Sequence, residues 1–298
     1  MEDFKTIFIK KYKEITQENK RFKDITTIKI GGKIKFLVYP RTIKELIKII
    51  KLCQKYGEKY VIIGNGSNVL ASDDFFDGVV INSKQLKKLK ITKNNLYAEC
   101  GAMLTSCVLY AKDSGLSSLE WAIGIPGTVG GACVMNAGAF GCELFDYISY
   151  VLVFDGKRIK KLYKKDIKYS YRTTDFQKNG NVVLLVKFSL LQKSNIEIAK
   201  NIDYFMQKRA NLQKISYPNA GSVFKKPSKE VSASQLIDMA GLKGKSFGGA
   251  EVSVFHAGFI VNYNNASCKD VLKLIDFISE KVYNIFNIKL ELEIVYIG

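Results

Sequence analysis

The chain has 298 residues, 47% hydrophobic and 25% charged, with 46 basic and 28 acidic side chains for a formal net charge of +18. That is the composition of an ordinary soluble globular protein, and the length is more than one small core organises, so two or three domains are expected. No apolar run approaches the roughly 20 residues of a membrane span. The opening MEDFKTIFIKKYKEI is charged throughout, without the apolar stretch a secretory signal needs.

KFLVY (35–39) is a short apolar strand ended by Pro40. Thr42 and Glu45 form a capping box that starts a helix, Leu46, Ile49, Ile50 and Cys53 recur at helical spacing, and Gly57 closes it. YVIIG (60–64) is the next strand, so 35–63 reads as a βαβ unit. The loop Gly64-Asn65-Gly66-Ser67-Asn68 stands at the strand's end. It offers backbone N–H groups as an anion nest, with Ser67 and Asn68 adding side-chain donors. It is not the dinucleotide fingerprint, whose third glycine is replaced here by Val69.

Further strands are expected at 79–82 and 96–100, then a helix from Leu104 to Ser114 closed by Gly115. There follows GIPGTVGGACVMNAGAFG (124–141), with six glycines among its 18 residues. Backbone that must come close to a flat ligand or a phosphate needs residues without a Cβ. Gly124, Ile125, Pro126, Gly127, Thr128, Gly130 and Gly131, with the 64–68 loop, are therefore the candidate contacts of a large cofactor held at two points. Strands near 148–154 and 182–189, helices over 197–214, 232–240 and 268–286, and a last strand LELEIVYI (290–297) complete the pattern. In that strand alternation puts Glu291 and Glu293 on one face. Soft boundaries near 80 and 200 divide the chain into 1–80, 81–200 and 201–298.

The lysines are scattered, as in Lys10, Lys11, Lys87, Lys88, Lys160, Lys161, Lys225 and Lys226, and compositional bias accounts for them most simply. Their field would also draw in small polyanions. Cys53, Cys100, Cys107, Cys133, Cys142 and Cys268 contain no C-x-x-C pair, and His256 is the single histidine. No metal site is expected, and the thiols read as reduced and mostly buried, as in a cytoplasmic protein. His256 reads as a structural histidine.

GNGSNVL, the glycine-rich segment, YSYRTTDF (169–176), NAGSVFKKP (219–227), GLKGKSFGGAEVSVFHAGFIVN (241–262) and LELEIVYIG (290–298) occur in this order. Together they resemble the UDP-N-acetylenolpyruvoylglucosamine reductases, from ITTIKIGG (25–32) to the last residue. About two dozen residues separate Phe176 from the 197–214 helix, which resembles the family's shorter, second type without an extra tyrosine loop. The resemblance implies an α+β fold: a two-part FAD-binding domain of the vanillyl-alcohol-oxidase type and a C-terminal substrate domain.

It further implies NADPH as reductant, a UDP-sugar substrate, and a place in peptidoglycan precursor synthesis. It makes Arg172 the catalytic cation, Ser222 the proton donor and Glu293 a third catalytic group. It places Tyr171, Arg209 and Lys226 among the substrate contacts. Thr174 stands for the family's usual serine, Lys226 for an asparagine, and Val295 for an arginine. A monomer without nucleic-acid or membrane partners is expected. Two other readings are an FAD oxidoreductase of the same cofactor fold with another substrate, and a basic nucleic-acid-binding protein. The Ser222 and Glu293 motifs argue against the first. The glycine loops, and the want of a clustered basic stripe, argue against the second.

Overall fold

The computed structural model describes residues 3–212 and 214–298. The chain forms two compact units, one of residues 1–17, 36–65 and 78–209 and one of 18–35, 66–77 and 210–298. Each has its own apolar core.

The first unit opens with α1 (Phe4–Tyr12), which the sequence reading passes over. Asp3 caps it by accepting from the Thr6 N–H at 2.8 Å, and Phe4 and Phe8 share the buried face. Phe8 lies 5.0 Å from the Phe36 ring. The βαβ expectation holds: the strand Ile34–Val38, α2 (Ile43–Tyr56) and the strand Tyr60–Ile63 follow in turn. Thr42 caps α2 by accepting from the Glu45 N–H at 3.1 Å, and Gly57, at φ +67°, ends it. The strand Phe76–Asn82 sits between the two strands of this unit and pairs in parallel with Tyr60–Ile63.

A five-stranded antiparallel sheet follows, in spatial order 159–163, 148–154, 182–189, 95–99 and 89–92. α3 (Leu104–Asp113), the short α4 (Val129–Val134) and α5 (Asn195–Leu212) accompany it, and α4 packs on the central strand Val182–Ser189. Val151, Val186, Phe188, Phe145 and Trp121 are buried here.

In the second unit the strands 219–222, 259–262, 250–252 and 246–247 form an antiparallel sheet. α6 (Ala233–Met239) and α7 (Cys268–Phe286) cover its core. Both start with a capping box, Ser232 with Gln235 and Ser267 with Asp270. Val271, Leu274, Ile275, Ile278 and Val282 give α7 one buried stripe at helical spacing.

The expected final strand over 290–297 needs correction, because only Val295–Ile297 is regular strand. The segment changes partners. The Lys225 N–H donates to the Glu291 carbonyl and the Glu293 N–H to the Val223 carbonyl, both at 2.8 Å. After the buried Ile294, the Val295 N–H donates to the Asn68 carbonyl at 2.9 Å, and 295–297 pairs in parallel with 69–71. Simple alternation does not run through such a switch. Glu291 is exposed and 3.5 Å from the Lys225 ammonium, whereas Glu293 is half-buried.

Candidate active site

Two glycine-bearing loops of the first unit are tied together. The Asn65 Nδ2 donates to the Pro126 carbonyl at 2.7 Å, and a Cβ on Gly64 would run into the Thr128 hydroxyl. Thr128 in turn caps α4, accepting from the Gly131 N–H at 3.5 Å. The glycines here divide into two kinds. Gly130 donates to the Cys100 carbonyl at 2.7 Å, and a Cβ there would lie 2.8 Å from the Cys100 Cβ. Gly127 and Gly131 face open space: their Cβ atoms would meet only Ile125 at 3.8 Å and the Thr128 hydroxyl at 3.6 Å.

The remainder of the first loop, Gly66 to Asn68, belongs to the second unit. Gly66 is needed there for backbone packing, since a Cβ would strike the Ile25 carbonyl. Asn68 directs its Nδ2 to the Glu293 carbonyl at 3.0 Å, so this donor holds the C-terminal segment. Ser67 is half-buried.

Arg172 occupies the second position of a two-residue turn between the strands Tyr169–Ser170 and Thr173–Thr174. Its φ of +53° is rare for a residue with a side chain. The guanidinium donates from Nη2 to the Gly138 carbonyl at 2.7 Å and lies 4.9 Å from the Tyr171 ring centroid. A Cβ on Gly138 would lie 2.5 Å from the Cys142 carbonyl oxygen and 3.2 Å from Nη1, so the close approach of the 142–143 backbone requires glycine here and the arginine shares that space. Tyr171 is exposed, while Tyr169 stacks on Phe145 at 4.5 Å.

Arg209, on α5, donates from Nε to the Ile123 carbonyl at 3.1 Å and lies 5.2 Å from the Phe140 ring. Burial lowers its pKa. Its side chain supports both ends of the glycine-rich segment, a role that motif reading did not foresee.

In the second unit Ser222 ends the strand Asn219–Ser222, opposite Phe259 and just after Gly221 at φ +77°. Asn219 shapes this turn: its Oδ1 accepts from the Gly221 N–H at 3.0 Å, and its carbonyl accepts from the Thr27 hydroxyl at 2.6 Å. The Glu293 backbone is bonded to Val223, the residue after Ser222. Lys226 is exposed. His256 Nδ1 accepts from the Gly258 N–H at 3.2 Å, its ring meets Phe259 edge-on at 4.8 Å, and burial lowers its pKa. These are the contacts of a structural histidine. Cys53, Cys100, Cys107, Cys133 and Cys268 are buried and Cys142 is half-buried. Burial pushes the Cys53, Cys100, Cys107 and Cys268 thiols up to about 12.

Residues 34–157 match the family described as FAD binding domain, and residues 213–297 match UDP-N-acetylenolpyruvoylglucosamine reductase, C-terminal domain. The UDP-N-acetylenolpyruvoylglucosamine reductase of Caldicellulosiruptor saccharolyticus is 42% identical over 284 residues, 94% of this chain and 91% of its own. The chain belongs to the UDP-N-acetylenolpyruvoylglucosamine reductase family. The reductase of Geobacillus kaustophilus is 39% identical over 93% of this chain and 91% of its own. The crystal structure of the Thermus caldophilus reductase superposes with a TM-score of 0.80 at 31% identity, covering 95% of this chain and 98% of that one. The α+β assignment and the FAD cofactor follow for this member of the family.

The loops suit that cofactor. Gly127 and Gly131 turn backbone toward open space, on a segment that Asn65 fixes to the first loop. A flat ring system or a diphosphate can come within van der Waals reach of such backbone. Three residues that hold the Arg172 turn, Asn136, Gly138 and Gln177, escaped the motif reading. Asn136 lies inside the quoted glycine-rich segment. Its φ of +42°, the detail that marks it, is written only in the fold.

Proposed function

We propose that the chain catalyses the NADPH-driven reduction of UDP-N-acetylglucosamine enolpyruvate to UDP-N-acetylmuramate, in the cytoplasm and as a monomer. The main support is Arg172, a half-buried guanidinium held on the carbonyl of Gly138 in the glycine-rich segment. Bound FAD supplies the hydride that NADPH delivers to the enzyme. The substrate's vinyl ether accepts it only if the adjoining carboxylate can take up negative charge. Arg172 meets that need, since its charge is permanent and its planar fork matches a carboxylate. Glu293 orients the arginine or shares the enolate's proton. Ser222 protonates the carbon next to the carboxylate; a hydroxyl is a weak acid and does this only when held against the carbanion.

Gly64, Asn65, Gly66, Ser67 and Asn68, with Gly124, Ile125, Pro126, Gly127, Thr128, Gly130 and Gly131, are assigned to the cofactor, and Tyr171, Arg209 and Lys226 to the substrate. Lys226 can donate to a phosphate or a hydroxyl but cannot accept. The 1–80 and 81–200 divisions correspond to the two halves of the cofactor-binding part. They are supported by the separate four- and five-stranded sheets within residues 16–82 and 89–189. The net charge of +18 favours capture of two polyanionic substrates without a nucleic-acid or membrane partner. Among the described residues no helix is long and apolar enough to cross a membrane.

The deciding experiment is rapid mixing of the NADPH-reduced enzyme with the enolpyruvyl UDP-sugar as sole acceptor. Flavin absorbance should return at a rate that accounts for turnover. An enzyme reoxidised by other acceptors but not by this one would be a different FAD oxidoreductase.

A further inference from the structure

We propose that Gln177 and Asn136 are positioning residues for the reduction, which hold the Tyr171–Arg172 turn, and through it the guanidinium, against the glycine-rich segment. The proposal rests on the role given to Arg172 above.

Both shoulders of the turn are fastened. Ser170, immediately before it, offers its carbonyl to the Asn136 Nδ2 at 3.0 Å. Asn136 is fully buried, and its Oδ1 accepts from the Phe145 N–H at 3.2 Å, so one acceptor and one donor fix the orientation of its amide. On the other shoulder, the Arg172 carbonyl accepts from the Gln177 Nε2 at 3.1 Å. The same Nε2 reaches the Val134 carbonyl at 3.2 Å and the Met135 sulfur at 3.3 Å. All three neighbours are acceptors, so the NH₂ end of Gln177 must face them. The Thr174 hydroxyl adds a bond to the Val134 carbonyl at 2.6 Å, which is the use the hydroxyl at this position serves. The guanidinium closes the ring of contacts on Gly138.

Arg172 needs this support. At φ +53° its Cβ crowds the backbone, and an unrestrained chain leaves that conformation for the ordinary right-handed or extended region. The carbonyl anchored by Gln177 belongs to the peptide that would rotate in that relaxation. Rotation would carry the guanidinium away from the Gly138 carbonyl. A fork that must meet a carboxylate does not tolerate this, and a displacement of about 1 Å costs on the order of 10²-fold in rate.

Gln177 is exposed, so Gln177→Ala should fold, with a melting temperature lowered by no more than a few degrees for the bonds it loses. Flavin reduction by NADPH should keep its rate. Reoxidation by the enolpyruvyl UDP-sugar should slow by roughly 10- to 10²-fold. Gln177→Glu keeps the size but loses the donor, and should behave as Gln177→Ala at neutral pH. The readout that separates positioning from general support is a double-mutant cycle. In an Arg172→Ala background, Gln177→Ala and Gln177→Glu should add nothing further. Equal slowing of both half-reactions, or a full added effect on top of Arg172→Ala, would overturn the proposal. An impaired Arg172→Ala beside a normal Gln177→Ala overturns the clamp alone. A normal Arg172→Ala removes the catalytic reading and the clamp together.

Discussion

Gly127→Ala and Gly130→Ala should fail in opposite ways, although the two glycines lie three positions apart in one motif. A Cβ at Gly130 would lie 2.8 Å from the Cys100 Cβ and 3.0 Å from its carbonyl oxygen. Neither atom is the far end of a flexible side chain, so something must shift. Overpacking of this kind costs about 1–3 kcal/mol. At roughly 2–4 °C per kcal/mol for a domain of this size, the apoprotein's melting temperature should fall by several degrees. A Cβ at Gly127 would meet only Ile125 at 3.8 Å, an ordinary contact, so apoprotein stability should stay within about 0.5 kcal/mol of the parent. The new methyl would stand where the cofactor has to approach. An overlap of about 1–3 kcal/mol against the ligand corresponds to a roughly 5- to 150-fold weaker Kd for FAD. The assay is thermal unfolding of flavin-stripped protein beside titration with FAD, followed by quenching of flavin fluorescence. Parental FAD affinity in Gly127→Ala, with apoprotein stability intact, would show that the open side of the loop is not the cofactor side.

Three further outcomes are expected. Ser222→Ala should leave flavin reduction by NADPH near its normal rate and slow reoxidation by the enolpyruvyl substrate by ~10² to 10⁴-fold, with Ser222→Cys recovering part of the loss; equal slowing of both halves in rapid mixing would make Ser222 a structural residue of its strand. Arg172→Lys should be nearly as damaging as Arg172→Ala, by roughly 10² to 10³-fold in kcat, because an ammonium does not reproduce the fork; near-normal turnover of the lysine variant would remove Arg172 from its role. His256 has a pKa lowered by burial, so the folded state binds its proton less readily than the unfolded state. Its contribution is whole above the ordinary histidine pKa and is lost as pH falls below it. The difference in melting temperature between pH 7.5 and pH 5.5 should therefore shrink in His256→Gln, and an unchanged difference would refute the assignment.

The parts of the fold legible in the sequence are those written by local chemistry. Thr42, Gly57 and Gly115 mark helix ends through capping and left-handed turns, and the structure puts those ends there. α1 was readable by the same rule, from Asp3 and the Phe4–Phe8 pair, but its lysines masked the stripe. LELEIVYI misled because alternation presumes one partner along the whole strand. This segment bonds first to 223–225 and then to 69–71, and only tertiary structure records the change.

The site shows the same limit more sharply. A missing Cβ is visible in sequence, but its cause is not. Gly127 lacks one beside open space, Gly130 beside Cys100, Gly66 beside the Ile25 carbonyl, and Gly138 beside the Cys142 carbonyl. One residue type thus serves an open loop face and three different close backbone packings, and only the fold tells them apart. Arg172 is the converse case. Its motif names the residue, yet its left-handed backbone contradicts local preference and persists because Asn136, Gln177 and Gly138 hold its neighbourhood. The strained backbone of Arg172 is paired with contacts distant in sequence: Gly138 lies 34 positions before Arg172, and Asn136 the same interval before Ser170. Motif reading therefore names Arg172 and stays silent on the groups that hold its turn. Those groups have to be sought wherever a side-chain-bearing residue of the site has a positive φ.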